Sequence, residues 1–231
     1  MKKQAIFNWS GGKDSALALY HTLNNHAFEI RELITTVNAD LERISMHGVR
    51  KSMLQKQVQA IGLPLSIISL PTDIDMASYD AVMKKELSLL REKGVTHSIF
   101  GDIFLEDLKN YRVERLKEVG LEGNFPLWKR DTNELIQEFL SLGFKTLVVA
   151  IDGSKLDKSF AGRVLDEDFL NDLPENVDPC GENGEFHTFV FDGPIFKAPV
   201  KFEKGEVVGK AYELSKGNPE NTVTYWFQDL M

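Results

Sequence analysis

The chain has 231 residues, of which 42% are hydrophobic and 27% charged, with one cysteine and a net charge of −8. That size supports one large domain, or a domain with an appendage, whose core needs no cross-links. The lone Cys180 excludes an internal disulfide and a Cys-x-x-Cys metal or redox site, and the acidic balance argues against nucleic acid as a partner. No apolar run has the length of a membrane span or a signal-peptide core, so a cytoplasmic protein without membrane attachment is expected.

Residues 5–9 read as a buried strand and 14–25 as a helix with Ala16, Leu17, Tyr20 and Leu23 on one side. A second strand follows at 33–37. A helix over 49–61 is stopped by Gly62 and Pro64, a strand over 65–70 by Pro71, and a long helix over 76–93 by Gly94 as its cap. A strand at 95–100, helices at 106–119 and 132–142, and a β-branched strand at 145–151 complete the series. Such alternation predicts an α/β fold: a parallel sheet with helices on both faces. Ligands of such sheets sit at the carboxyl ends of the strands, so the loops after Trp9, Val37, Phe100 and Ile151 should share a cleft. Beyond about residue 171 the texture changes. Proline, glycine and acidic residues crowd 174–185, and short β-like runs follow at 186–191, 199–203, 206–214 and 222–227. The expected division is an α/β domain over 1–152 and a smaller β-rich lobe over 153–231.

Between the first strand and helix stands Ser10-Gly11-Gly12-Lys13-Asp14-Ser15. Two glycines at a strand–helix junction let backbone N–H groups converge on an anion, with about half a positive charge added by the helix end. Ser10 and Ser15 add hydroxyls, and Lys13 adds a charge. The Walker pattern would need glycine at Phe7 and a hydroxyl residue at Asp14, and the Rossmann glycines are absent. A plain reading, a glycine turn with Asp14 as N-cap, leaves Ser10, Lys13 and Ser15 unexplained together.

Four further stretches carry chemistry. His47 and Gly48 precede a helix, near Arg50, and suit a phosphate contact or a solvated loop. Gly101 and Asp102 end a strand; the glycine permits close backbone approach, and Asp102 suits ribose, a metal or a helix N-terminus. Arg112 and Glu114 lie on one helix, whose default is a mixed-charge solvated face, and Trp128 suits a packed turn. The richest stretch is Cys180-Gly181-Glu182-Asn183-Gly184-Glu185-Phe186-His187-Thr188. Its turn should bring Glu182 and Glu185 together, where two carboxylates hold a cation or one becomes a base. Cys180 reads as a small buried residue.

The six-residue loop resembles the PP-loop of ATP pyrophosphatases, which split ATP between its α and β phosphates. With Met46-His47-Gly48, Gly101-Asp102-Ile103, Arg112-Val113-Glu114, Pro126-Leu127-Trp128 and the Glu182–Thr188 stretch, the chain resembles the diphthine–ammonia ligase family over roughly residues 3–200. The resemblance implies an adenine-nucleotide α-hydrolase-like sheet over 1–152 and an AMP-forming carboxylate–ammonia ligase with ATP and Mg²⁺. Residues 10–15, His47, Gly48, Gly101 and Asp102 would bind ATP, with Asp14 as a candidate Mg²⁺ ligand. Arg112, Glu114, Trp128, His187 and Thr188 would border the acceptor. Lys13, Asp14, Glu182 and Glu185 would be catalytic, and Glu185 is the expected base toward ammonium. The acceptor carboxylate would lie on a protein like elongation factor 2, or on a small molecule. Relatives read Ser-Asp-Tyr-Gln-Arg where this chain has Glu106-Asp107-Leu108-Lys109-Asn110, which keeps the acceptor open. A PP-loop enzyme with another acceptor, tRNA included, and a non-catalytic nucleotide-binding protein remain as alternatives; a homo-oligomer is also open.

Overall fold

A computed structural model describes residues 2–44, 47–213 and 222–231. Strand β1 (Lys3–Asn8) buries Ala5, Ile6 and Phe7 completely, on both of its faces. It is a continuous apolar run because helices cover the sheet on either side. β1 lies between β2 (Phe28–Asn38) and β5 (His97–Ile99), with β4 (Leu65–Leu70) beyond β2 and β6 (Glu122–Asn124) beyond β5. All these pairings are parallel; only the two-residue β3 (Arg43–Ile44) runs antiparallel, at the end of β2.

The helices fall on opposite faces, as expected. Leu17 of α1 (Lys13–Asn24), Met53 and Leu54 of α2 (Lys51–Ile61) and Phe139 of α5 (Thr132–Ser141) join one core with Phe7 and Trp9. Leu87 and Leu90 of α3 (Met76–Glu92) and Leu116 of α4 (Glu106–Glu118) join Ile6 and Ile34 in the other. Gly62 ends α2 at φ 82°, the left-handed position where glycine carries no Cβ penalty.

Strand β7 (Lys145–Asp152) corrects the sequence expectation. It stands in a separate sheet of order β8-β7-β10-β9, with β8 (Phe186–Asp192), β9 (Lys204–Glu213) and β10 (Thr222–Leu230), all antiparallel. Its residues 146–151 are buried because neighbours flank it and cores cover it, the same signature a parallel strand leaves. The loop after Ile151 therefore turns away, with the Gly153 amide donating to the Thr224 carbonyl, and is absent from the cleft. Residues 199–203 form no strand, since Pro199 has no N–H for a ladder; one bond at Val200 and a reciprocal pair between Glu203 and Met231 pin them. Residue Leu214 of the expected third run lies outside the described residues, as do Ser45 and Met46. A six-residue helix, α6 (Glu167–Asp172), capped by Asp166, is too short to leave a periodic signal.

Candidate active site

The chain leaves β1 for β2 on one side and returns through β4 to β5 on the other, so the crevice between the ends of β1 and β5 is the switch point. The loop of residues 9–12 sits there. Helix α1 begins at Lys13 with Gly12 as N-cap, so Asp14 lies in the first turn rather than capping it. The cap comes from the other sheet: the Thr188 hydroxyl accepts the Lys13 N–H at 3.0 Å. Gly11 holds φ 82°, and a Cβ there would stand 2.6 Å from Gln57 Oε1. The Gly11 carbonyl accepts from Val190 N and from Gln57 Nε2, each at 2.9 Å. The phosphate-type loop is thus clamped between α2 and β8.

Above the loop lies a cavity of about 770 Å³ whose lining includes Ser10, Lys13, Asp14, His47, Asp102 and Glu182. Lys13 is 4% exposed and pairs with Asp14 at 2.8 Å, its ammonium 5.7 Å from the Phe186 ring centre. Burial alone would lower its pKa; the Asp14 carboxylate beside it outweighs this and holds it above the usual lysine value. Glu182 is pushed up to about 8, first by burial and then by the Asp14 charge, with Lys13 pulling the other way. Its carboxylate accepts no hydrogen bond among the described residues. His47 Nδ1 lies 3.1 Å from the Thr188 carbonyl, and the His47 and His187 ring centres are 4.8 Å apart. Burial lowers both imidazoles, His187 to about 3, so both are neutral.

Several expected residues play other parts. Glu185, the expected base, is 2% exposed and does not line the cavity. Its carboxylate accepts from Asn183 N (2.9 Å), Asn183 Nδ2 (3.1 Å) and Asp178 N (3.2 Å), and so ties the glycine-rich turn together. Glu182 faces the cleft in its place. Thr188 of β8 lines the cavity and at the same time caps the helix behind the phosphate-type loop. Gly101 lines the cavity, and its missing side chain also makes room for the α1 backbone: a Cβ would lie 2.9 Å from Ser15 N. Asp102 accepts from Arg112 at 2.5 Å, and that guanidinium lies 4.6 Å from the Phe100 ring centre. Burial nevertheless raises Asp102, against the pull of Arg112. Both line the cavity; Glu114 and Trp128 do not, Glu114 being exposed and Trp128 packed on Phe125 and Lys109. Arg50 turns from the cleft to Asp229, and Cys180 is buried as expected. Among the described residues no three His, Cys, Asp or Glu side chains form a metal cage.

Two groups escaped sequence reading. Tyr79 and Asp80 of α3 face Tyr111 and Arg115 of α4 across the far half of the cavity. Asp229 of β10 accepts from both Arg43 and Arg50 and holds the His47 loop. Asp229 offers no local signal. Gln57 does: it is fully buried in line with Met53, Leu54, Val58 and Ile61, a polar residue on an apolar helical face.

The chain matches the diphthamide synthase N-terminal domain over residues 1–123 and the diphthamide synthase C-terminal domain over 131–218. It is 33% identical to the diphthine–ammonia ligase of Bos taurus over 128 residues, 53% of this chain and 48% of that one. That match therefore spans about half the length of the relative. The diphthine–ammonia ligase of Danio rerio is 26% identical over 219 residues, 86% of each chain. Among solved structures, the U34-tRNA thiolase NcsA from Methanococcus maripaludis superposes with a TM-score of 0.37 at 19% identity, over 61% of this chain and 57% of that one. No described helix is long and apolar enough to cross a membrane.

Proposed function

The chain belongs to the diphthamide synthase family, and we propose that it is an ATP-dependent ligase that turns a carboxylate into an amide with ammonium, as a diphthine–ammonia ligase does. One observation carries the reading: the loop at the β1/β5 crevice and the Glu182 carboxylate face one cavity, with the buried Lys13 between them. The loop fits a nucleoside triphosphate by its donors, namely first-turn amides, the Ser10 hydroxyl and Lys13. Mg²⁺ would accompany the phosphates, with Asp14 as the loop's only carboxylate and phosphate or water as its other ligands.

In this reading the acceptor carboxylate attacks the α-phosphorus and pyrophosphate departs. Lys13 neutralises charge at the reacting phosphate, which is preorganised electrostatics rather than covalent chemistry. Glu182 in its ionised form takes a proton from ammonium, so that the nitrogen lone pair attacks the acyl carbon and AMP leaves. A carboxylate with a pKa near 8 is a far stronger base than an ordinary one, as that proton requires. The acceptor would occupy the end of the cavity lined by Tyr79 of α3 and Tyr111 of α4. Such chemistry, with one buried thiol, fits the cytoplasm.

The test is to supply the chain with ATP, Mg²⁺, ammonium and a protein of the elongation factor 2 type bearing diphthine. AMP, pyrophosphate and amide should appear in equal amounts. ADP as the product would remove the reading, and the absence of acceptor-dependent AMP would favour a nucleotide-binding module.

A further inference from the structure

Strand β9 is the outer strand of the antiparallel sheet, and among the described residues it pairs with β10 alone. An edge strand offers unpaired N–H and C=O groups and joins other strands unless something prevents it. Charges are the usual barrier, and β9 carries Lys204, Glu206, Lys210 and, at its last position, Glu213. Here the charges have an order. Lys204, Glu206, Val208, Lys210 and Tyr212 alternate along one face. All five are exposed, Val208 and Tyr212 at 47% each. Neither Glu206 nor Lys210 is in an ion pair among the described residues. The other face is small: Gly205, Val207, Gly209 and Ala211.

Two copies of one strand pair antiparallel about a two-fold axis normal to the sheet, an arrangement that closes after two chains. Each register then has one residue opposite itself. With Val208 on the axis, Glu206 stands opposite Lys210 twice and Lys204 opposite Tyr212 twice. With residue 207 on the axis, Lys204 meets Lys210. With 206 or 210 there, a glutamate or a lysine meets itself. With 209 there, no charge meets its opposite. The Val208 register is the one of these five that pairs unlike charges without pairing like ones. We propose that β9 docks on β9 of a second copy of this chain, antiparallel and with Val208 on the axis, so that the two sheets join into one of eight strands. The contact is short of the area of a standard stable interface, so the dimer is concentration-dependent.

Sedimentation of the full chain over a concentration series tests this. The wild type should show a monomer–dimer equilibrium. Glu206→Lys alone, and Lys210→Glu alone, each turn two attractive pairs into two repulsive ones and should weaken the dimer by about tenfold or more. The double swap Glu206→Lys/Lys210→Glu restores unlike pairs and should recover the dimer. Val208→Cys adds an accessible thiol to a chain whose native cysteine is buried, and mild oxidation should yield a disulfide-linked dimer. Circular dichroism checks that each variant is folded. A wild type that stays monomeric at every concentration overturns the proposal. So does a dimer indifferent to the single swaps, or a double swap as weak as the singles.

Discussion

Replacing Glu182 by glutamine should move stability and activity in opposite directions. The carboxyl rises from an ordinary 4.5 to about 8 because it is buried beside Asp14. Each unit corresponds to about 1.4 kcal/mol, so ionising it in the folded chain costs about 5 kcal/mol. Between pH 4.5 and 8 the folded state binds this proton more tightly than the unfolded state, so stability falls as pH rises through that window. Glutamine has the same shape and no such proton, and no hydrogen bond to the carboxylate is lost among the described residues. The variant should therefore nearly match the wild type near pH 4.5 and exceed it by up to about 5 kcal/mol at pH 8.5. Urea denaturation of both proteins across that range reads the difference directly. Amide formation should vanish in the variant while nucleotide still binds, and in the wild type turnover should climb as pH rises through about 8. Parallel stability curves for the two proteins would refute the burial argument, and normal amidation by the variant would refute the base.

Glu185→Gln should behave quite differently: with the acceptor of three N–H donors impaired, it should lose about 1–3 kcal/mol in urea melts yet keep the pH profile of turnover. Thr188→Val orphans the Lys13 amide and should lower stability by about 1–2 kcal/mol, measured the same way, whereas Thr188→Ser should retain most of it. Asp229→Ala leaves Arg43 and Arg50 without their shared partner and should cost about 1.5–3 kcal/mol at pH 7. The hydrogen bond from Arg50 holds Asp229 below its ordinary 3.8. Its contribution is thus complete above 3.8 and fades as pH falls through the lowered value, so the two proteins should converge only in strong acid.

The α/β alternation was legible because β1, β4 and the inner half of β2 at residues 33–37 are largely apolar runs, and the helices between them have a clear buried side; the charged first half of β2, with Glu29, Arg31 and Glu32, gave no strand signal. The loop at residues 10–15 was legible because its chemistry lies within six consecutive positions. β7 was misplaced because burial on two faces looks alike in parallel and antiparallel sheets. Glu182 and Glu185 are three residues apart in one turn, and only the backbone path decides which carboxylate meets the cavity and which meets amides. The α4 wall stayed hidden for another reason. Leu108, Arg112 and Arg115 share one helical face, but a face that lines a polar cleft has the composition of one that meets water.

Strand β8 has a part in two transactions. Its Thr188 hydroxyl and Val190 amide hold the loop that would receive the nucleotide in the proposed function, while the turn just before it would present Glu182 to the acceptor. A displacement of β8 by either ligand alters the seat of the other. Such linkage is reciprocal: whatever factor the acceptor imposes on nucleotide affinity, the nucleotide must impose on the acceptor. The coupling between the two ligands, rather than either affinity alone, is then the property that this strand would set.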